Sequence, residues 1–313
     1  MLGSISPSIR AAYRGRFAPS PTGALHLGSL LTAIASYADA RAHGGTWLVR
    51  IEDLDHTRTV PGAAAALLDT LHRFGMRWDE PVRYQHDRTS AYQTALAQLT
   101  AAGLTYPCGC SRTDLARNGR AGVDGTIYPG TCRYGLAANR PLRTVRLRTT
   151  AASLAFTDRI HGHHTQNIAE DVGDFVLRRA DGIHAYQLAV VVDDAWQQIT
   201  QVVRGADLLL STPRQLLLQQ HLGLAQPRYA HIPLLVDHNG HKLSKAQAAA
   251  PVDPQHPLPT LHHIWALLGQ EPLPPVPSVT EFWARATSRW HCARVPAHLT
   301  LQIPTAISLC SFN

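Results

Sequence analysis

The sequence predicts an α/β protein with a doubly wound parallel sheet, an inserted subdomain and a small helical C-terminal piece. Three observations lead to this prediction. Residues 16–29 form a strand end, a Pro- and Gly-rich loop and a helix start; residues 46–51 form a second strand of buried type; and three cysteines in a Gly-rich stretch, 108–132, interrupt the alternation. Because ligands of open parallel sheets lie beyond the carboxyl ends of strands, we expect the site at that edge.

The first unit is a short strand over 15–18, a loop, and a helix that Gly44 ends. Apolar residues recur at helical spacing from Leu30 to Tyr37, and the helix cap is Ser29 or a neighbour. A helix N-terminus after a strand offers backbone N–H groups and a positive dipole end to a polyphosphate. Gly28 would let a nucleotide approach closely, and His26 adds a side-chain donor. Taken alone, His-x-Gly is also typical of a plain turn.

The strand over 46–51 runs directly into Glu52, Asp53 and Asp55. A carboxylate at the carboxyl end of a strand can hold an ammonium group. Asp53 and Asp55 are equally typical of caps for the next helix, which we predict over 61–74. A further helix over about 87–102 completes the first half.

Composition limits the class of protein. The chain has 313 residues, 45% of them hydrophobic, which is typical of a globular protein and not of a disordered one. A formal charge of +7 favours a polyanionic partner. No apolar run reaches membrane-spanning length, and the first ten residues lack the apolar stretch of a signal peptide, so we expect a cytosolic (cytoplasmic) protein without membrane contact.

Three of the five cysteines lie in the insertion, which argues for a metal site and against a disulfide framework. Cys108, Cys110 and Cys132 supply three of the four ligands that tetrahedral zinc needs. From spacing alone the fourth ligand is Tyr128, a histidine of the cluster at 161–164, or water. The alternative is a set of reduced thiols without metal. We read the histidine cluster as a solvated loop.

The second half begins with a predicted strand and turn over 174–182 and a buried strand over 185–192 that ends in Asp193 and Asp194. Another strand ends near Arg204 and precedes a helix over 213–221. An arginine in that position can grip a carboxylate in two-point geometry, so Arg16 and Arg204 form a candidate carboxylate receptor. Tyr186 is a pocket residue or only a core aromatic, and the aspartates are equally consistent with caps.

The last motif places Lys242 and Lys245 on a loop after a strand over 232–236 and a turn at 239–240. Two such lysines can neutralise a triphosphate as charge builds on leaving pyrophosphate, although alone they are typical of a solvated turn. The C-terminal region then has two Pro-rich stretches, a helix over about 261–268 and a segment over 282–290.

These motifs together resemble the class I aminoacyl-tRNA synthetases, in the form used by the glutamate-specific group, over roughly residues 14–250. The resemblance implies an ATP site with Mg²⁺ and catalytic roles for His26, Lys242 and Lys245. ATP would contact His26, Gly28, Ser29 and Lys245. It also implies an L-glutamate pocket formed by Arg16, Phe17, Ala18, Pro19, Ser20, Glu52, Tyr186 and Arg204.

The layout Cys-x-Cys…Tyr-x-x-x-Cys resembles the zinc site of the glutamyl-queuosine tRNA(Asp) synthetases, a family of short paralogues of glutamyl-tRNA synthetase. This implies one structural Zn²⁺ held by Cys108, Cys110, Tyr128 and Cys132. It also implies transfer of glutamate to queuosine in the anticodon loop of tRNA(Asp). The sequence departs from the usual class I signatures at Ser29, Leu243 and Ala246, and of these changes the short paralogues tolerate the serine.

The resemblance divides the chain into a first catalytic half (14–103), an insertion with the zinc knuckle (104–172), a second catalytic half (173–250) and a short helical region (251–313) in which no anticodon-binding module fits. We expect a monomer. Two alternatives stay open: a truncated glutamyl-tRNA synthetase that charges tRNA(Glu), and a catalytically silent zinc- and RNA-binding protein.

Overall fold

The structure is a computed structural model that describes residues 12–136, 140–151, 153–241 and 252–303. Its first part alternates strands with helices. The bounds are β1 Arg14–Phe17, α1 Leu27–Ala42, β2 Thr46–Ile51, α2 Ala63–Arg73, β3 Arg83–Tyr84 and α3 Thr89–Ala101. β1, β2 and β3 pair in parallel in that order. Leu30, Leu31 and Ile34 of α1 are buried against this sheet, which the predicted helical spacing required.

The middle of the chain is built from antiparallel strands. The bounds are β4 Thr105–Cys108, α4 Arg112–Asn118, β5 Arg120–Gly122, β6 Gly125–Ile127, β7 Thr144–Leu147, β8 Ser153–Asp158, β9 Gly162–Asn167, α5 Ile168–Asp171 and β10 Val176–Arg178. β7 lies between β4 and β10, while β5–β6 and β8–β9 are hairpins. The β8–β9 hairpin also packs on the second half, where Phe156 contacts Tyr229 edge to face.

The second half restores parallel pairing. The bounds are α6 Tyr186–Trp196, β11 Gln201–Gly205, α7 Thr212–Leu222, β12 Arg228–Ile232 and β13 Leu234–Val236. β11 pairs in parallel with β12. The backbone N–H of Thr200, just before β11, donates to the carbonyl of Arg14 at 2.9 Å, which sets β11 beside β1. The carboxyl ends of β1 and β11 therefore meet, as the doubly wound prediction required.

The C-terminal piece is held against the first half. Its bounds are α8 Pro257–Leu267, α9 Val279–Arg289 and β14 Thr300–Gln302, and β14 pairs in parallel with β13. The Trp283 indole N–H donates to the carbonyl of Phe74 at 2.8 Å, and that of Trp290 donates to the buried Asp39 carboxylate at 2.9 Å. Two helices and a strand thus extend the core formed by α1. The division of the chain into the four regions given above remains a prediction.

One predicted element is wrong: residues 185–192 are not a strand but the start of α6. The run of valines at 190–192 favoured a strand, yet an apolar run cannot distinguish a buried strand from a buried helix. Helical spacing places Tyr186, Val190, Asp193 and Asp194 on one side of α6. The aspartates therefore lie inside the protein, and both are buried.

Two smaller expectations also changed. The predicted strand over 232–236 is divided into β12 and β13 at Pro233, because proline lacks the N–H that a sheet needs. The predicted solvated loop at 161–164 belongs to the β8–β9 hairpin, and His161 Nε2 lies 2.9 Å from the carbonyl of His231. Among the residues that the structure describes, there is no helix with the length and apolar character needed to cross a bilayer.

Candidate active site

A cavity of about 250 Å³ opens where β1 and β11 end. The loop that leaves β1 forms one wall and is tied to the segment after β2, since the backbone N–H of Glu52 donates to the carbonyl of Pro19 at 2.9 Å. Gly205 and Leu234 form part of the opposite wall. Seven residues predicted for the site line this cavity: Phe17, Ala18, Pro19, Ser20, His26, Gly28 and Ser29.

His26, and not Ser29, caps α1. Its Nδ1 accepts from the backbone N–H of Ser29 at 3.2 Å, so the ring proton lies on Nε2, which is 2.9 Å from Ser29 Oγ. The ring folds over the first turn, and a Cβ at Gly28 would approach it to 3.3 Å. Histidine and serine therefore act as one unit at the helix N-terminus, where backbone N–H groups favour an anion.

Behind the cavity lies a buried ionic network. Arg16 Nε and Nη2 donate to the two carboxylate oxygens of Asp194 at 3.1 and 3.3 Å. Arg50 Nη1 donates to the same aspartate at 2.8 Å, and Arg50 Nη2 to Glu52 at 3.2 Å. Burial raises the pKa of Glu52, although Arg50 and Arg16 oppose this. Arg16 and Glu52, both predicted from sequence, are thus linked through two further residues, Asp194 and Arg50.

Arg204 lies in a different environment. Its Nε donates to His231 Nε2 at 2.9 Å, Nη1 to Gln215 Oε1 at 2.8 Å, and Nη2 to Thr212 Oγ1 at 2.9 Å and the Leu208 carbonyl at 3.3 Å. These four bonds use four of the five guanidinium hydrogens, which leaves one on Nη1. With these bonds in place, Arg204 alone does not offer the two-point grip expected from sequence.

Four residues predicted for glutamate binding, Arg16, Glu52, Tyr186 and Arg204, do not line the cavity. The charges of the other three act on the phenol of Tyr186. Burial raises the pKa of this tyrosine, the positive charges of Arg204 and Arg16 lower it, and the negative charge of Glu52 raises it. Arg16, Glu52, Tyr186 and Arg204 therefore form one candidate group. Two guanidinium groups and two carboxylates, those of Glu52 and Asp194, act on its phenol, and this balance of charges suits an amino acid.

Sequence reasoning missed the residues that hold this group in place. Asp193 accepts from Gln85, Arg88 and Tyr92 at 2.6–2.8 Å, and Asp194 joins Arg16 to Arg50. The adjacent pair of acids in an apolar run was the available signal. A strand over 185–192 would place these two acids at its exposed end, whereas the helix places them inside the protein.

Asp53 and Asp55, which the sequence offers as caps for the next helix, do not cap α2. Asp53 accepts from the backbone N–H and Nδ1 of His86 at 3.0 and 2.5 Å, while Asp55 pairs with Arg179 at 2.7 Å. The N-cap of α2 is Gly62. The two acids therefore connect the segment after β2 to neighbouring loops. Of the three acids at 52–55, only Glu52 belongs to the candidate group around Tyr186.

The three predicted cysteine ligands form a compact buried cluster. Their sulfur atoms lie within 4.8 Å of one another, and Cys110 Sγ is 3.7 Å from Cys132 Sγ. Two sulfurs bound to one tetrahedral zinc at 2.3 Å would be about 3.8 Å apart. The hydroxyl of Tyr128 lies 3.4 Å from Cys108 Sγ and 3.6 Å from Cys110 Sγ. Within the described residues the candidate metal group includes no histidine.

Two arginines compensate the charge that thiolates would carry here. Arg146 Nε donates to Cys108 Sγ at 3.4 Å and stacks on the Tyr128 ring, and Arg140 Nη1 lies 3.6 Å from Cys110 Sγ. Burial raises the pKa of Cys108. Hydrogen bonds with Tyr128, the Cys110 backbone and Arg146 together have a larger, opposite effect, so the pKa falls to about 7. The donor set therefore fits a zinc ion, with Tyr128 and not the histidine cluster beside the three thiols.

Lys242 and Lys245 lie outside the described residues, as do Leu243 and Ala246. The roles given to them remain sequence-based predictions. They are also the only two lysines of the chain, whose other basic side chains in the Lys and Arg total of 29 are arginines.

Comparisons with known proteins show which family and which solved structures this chain is similar to. Residues 12–256 match the family model for the catalytic domain of class I tRNA synthetases (E and Q). A glutamyl-Q tRNA(Asp) synthetase of Chromobacterium violaceum is 51% identical over 294 residues, which are 94% of this chain and 98% of the relative. One of Burkholderia mallei is 60% identical over 255 residues, which are 80% of this chain and 86% of the relative.

Among solved structures, a glutamate tRNA ligase of Elizabethkingia meningosepticum, in complex with its amino acid, superposes with a TM-score of 0.77 at 25% identity. The match covers 95% of this chain and 68% of that one. The α/β arrangement described above is therefore shared with a glutamate-handling ligase.

Proposed function

The chain belongs to the class I tRNA synthetases for glutamate and glutamine, and on this basis we propose that it activates L-glutamate with ATP and transfers the glutamyl group to queuosine of tRNA(Asp). The observation that carries the proposal is the group of Arg16, Glu52, Tyr186 and Arg204 behind a cavity capped by the start of α1. It offers opposite charges to an amino acid that has two carboxylates, and an anion site to ATP.

The reaction has two steps. An oxygen of the glutamate α-carboxylate attacks the α-phosphorus of ATP, the bond to the bridging oxygen breaks, and pyrophosphate leaves. A hydroxyl of the acceptor then attacks the acyl carbon, and AMP leaves with the electron pair of the broken acyl–oxygen bond. Positioning and charge neutralisation supply the catalysis, so the protein needs no nucleophile of its own.

Each part of the site has one role in this scheme. Glu52 receives the α-ammonium group, and Arg16 and Arg204 receive carboxylate charge. His26, Gly28 and Ser29 contact the triphosphate, and Lys242 and Lys245 neutralise the leaving pyrophosphate together with Mg²⁺. The loop that follows β1 closes the pocket around both substrates.

The choice of acceptor rests on the names and identities of the relatives. The two glutamyl-Q tRNA(Asp) synthetases described above are 51% and 60% identical to this chain, whereas the glutamate tRNA ligase structure is 25% identical. This difference favours tRNA(Asp) carrying queuosine over tRNA(Glu).

Transfer of radiolabelled glutamate to total tRNA, from cells that make queuosine and from cells that cannot, tests the proposal. We expect label only on queuosine-containing tRNA(Asp). Label on tRNA(Glu) from both sources would instead identify a charging enzyme for tRNA(Glu). Absence of both label and glutamate-dependent ATP–pyrophosphate exchange would identify the silent zinc- and RNA-binding protein.

We also propose that Cys108, Cys110, Tyr128 and Cys132 hold one structural zinc ion. A closed four-ligand site of this kind contributes folding energy and takes no part in the chemistry. It would fix the segment between β4 and β7, whose two ends are joined by strand pairing.

Zinc content tests this site directly. We expect about one zinc per chain in the purified protein and less than about 0.1 in Cys110→Ser, because a lost thiolate ligand weakens tetrahedral binding strongly. Cys292→Ser is the control, since Cys292 lies outside the cluster and is expected to leave the zinc content unchanged. Equal zinc loss in both variants, measured by elemental mass spectrometry, would contradict the assignment.

Ser29→Ala is expected to slow glutamyl-adenylate formation about tenfold, with KM for glutamate unchanged. The serine accepts from His26 Nε2–H, and loss of one hydrogen bond near 1.4 kcal/mol corresponds to a factor of ten. ATP–pyrophosphate exchange measures this, with Ser90→Ala, an exposed serine at the start of α3, as the control. An unchanged kcat would remove Ser29 from the phosphate site.

The two lysines allow a selective labelling experiment. We expect MgATP to slow acetylation of Lys245 about tenfold, because a side chain bound to phosphate cannot react as a free amine. The α-amino group of the chain serves as the internal control, and peptide mass spectrometry gives each rate. Equal rates at Lys245 with and without MgATP would exclude it as an ATP contact.

A further inference from the structure

A buried chain of three side chains links the β8–β9 hairpin to Arg204. Asp158 ends β8, His231 lies in β12 and Arg204 in β11, and all three are at most 4% exposed. His231 Nδ1 is 2.7 Å from Asp158 Oδ2, and His231 Nε2 accepts from Arg204 Nε at 2.9 Å. The chain runs from a hairpin in the predicted insertion to the group around Tyr186.

The protonation state of this chain follows from its contacts. Asp158 Oδ1 accepts from the backbone N–H groups of Ile160 at 2.9 Å, His161 at 3.0 Å and His231 at 3.3 Å. A carboxylate with so many donors stays ionised. Burial raises the pKa of Asp158. The bonds from His231 and these amides together have a larger, opposite effect, so the pKa falls to about 2. Asp158 therefore acts only as an acceptor.

The imidazole must then donate from Nδ1 and accept at Nε2. Burial lowers the pKa of His231 to about 4; the positive charge of Arg204 also lowers it, and Asp158 opposes both. The ring is thus neutral near pH 7, with its proton on the nitrogen that faces Asp158. The other nitrogen presents its lone pair to the arginine, which can only donate.

The direct hydrogen-bond partners of Arg204 among the described residues are all neutral, in contrast to those of Arg16 and Arg50. The negative charge of Asp158 reaches the guanidinium through one imidazole. The positive charge of Arg204 is thus available for a ligand carboxylate. The bond from Nε to His231 fixes the plane of the guanidinium group.

We propose that Asp158 and His231 are positioning residues for Arg204: Asp158 holds the histidine tautomer that accepts from Nε, and this orients the remaining Nη1 hydrogen toward a carboxylate of glutamate. The inference rests on the proposed function, because it assumes that Arg204 binds the amino acid. It assigns to the β8–β9 hairpin a part in the amino-acid pocket.

Asp158→Asn tests the tautomer. An asparagine oxygen that keeps the three backbone bonds turns its NH₂ group toward Nδ1, which moves the ring proton to Nε2 and sets it against Arg204 Nε–H. We expect KM for glutamate to rise about 10–100-fold, the range typical of a lost orienting partner, with KM for ATP changed less than about twofold. His163→Asn, at an exposed position of β9, is the control.

A pair of histidine variants separates positioning from a general structural role. Glutamine can place its amide oxygen near the site of Nε2, whereas asparagine reaches only to the site of Nδ1. We therefore expect His231→Gln to keep KM for glutamate within about fivefold of the parent and His231→Asn to raise it as Asp158→Asn does. A purely structural role predicts that both amides change KM for glutamate and KM for ATP alike.

The unaltered protein supplies a readout that does not depend on variant folding. In ¹⁵N spectra of histidine-labelled protein at pH 7, the expected signal is a neutral imidazole with its proton on Nδ1 that stays neutral to about pH 5. Absence of such a signal would overturn the inference, as would unchanged KM for glutamate in Asp158→Asn. The proposed function fails separately, if the parent protein shows no glutamate-dependent exchange.

Discussion

Replacing Arg204 by glutamine is expected to lower kcat/KM for glutamate in ATP–pyrophosphate exchange by about 10²–10³-fold, with little change in KM for ATP. Arg204 is buried, and its direct partners, His231, Gln215, Thr212 and the Leu208 carbonyl, are neutral. A carboxylate bound beside it would therefore receive the full charge. Loss of one member of a buried charged pair costs about 3–4 kcal/mol, which corresponds to this change in rate.

Arg204→Lys refines the expectation. Lysine keeps the positive charge but cannot contact His231, Gln215 and Thr212 from a planar fork, so its ammonium group would be poorly fixed. We expect an activity between those of the parent and of Arg204→Gln. Arg14→Gln is the control, because Arg14 pairs with Glu80 and the Gln197 carbonyl at the amino end of β1. Parent-like kcat/KM in Arg204→Gln would remove Arg204 from the glutamate pocket.

In the proposed glutamate pocket, Arg204 and Arg16 differ in how their charges are held. Arg16 is neutralised in part by Asp194, which fixes its direction, whereas Arg204 is fixed by neutral groups and retains its charge. Glu52 beside them supplies the opposite sign for an ammonium group.

Local signals in the sequence were sufficient for the residues that touch the cavity. The loop over 16–29 could be predicted because proline, glycine and a following helical repeat specify a strand–loop–helix unit within one short stretch. Strand position alone does not distinguish Glu52 from Asp53 and Asp55, and only the resemblance of residues 50–53 to the synthetase strand singles it out. The cysteine group could be predicted from ligand type and spacing, and the structure brings those thiols together.

The residues that orient Arg16 and Arg204 could not be predicted, because their partners are distant in sequence. Asp194 meets Arg16 across 178 positions, and Asp158 meets His231 across 73. A histidine within β12 and an aspartate at a hairpin turn carry no local sign of such a contact. Only the pairing of β11 with β12, and the packing of the hairpin against β12, places them together.

Asp194 is the position at which stability and activity should fail together. Its carboxylate is the shared partner of Arg16 and Arg50, and all three side chains are at most 7% exposed. The attraction of both arginines lowers the pKa of Asp194 even though burial opposes ionisation. Asp194→Ala would leave two buried guanidinium groups short of one negative charge, and removing one partner of a buried ionic network costs about 3–5 kcal/mol.

We therefore expect Asp194→Ala to lower the free energy of unfolding by that amount in urea titrations, with Asp181→Ala as the matched control. Asp181 pairs with Arg179 on the surface, where an ion pair contributes at most about 1 kcal/mol. Asp194→Asn keeps the volume and one oxygen acceptor, so it should lose less stability while still releasing Arg16 from its two-point contact. Its KM for glutamate should then rise although it is more stable than Asp194→Ala. If Asp194→Asn retained the KM of the parent, Arg16 would need no orienting partner, and the network would serve the fold alone.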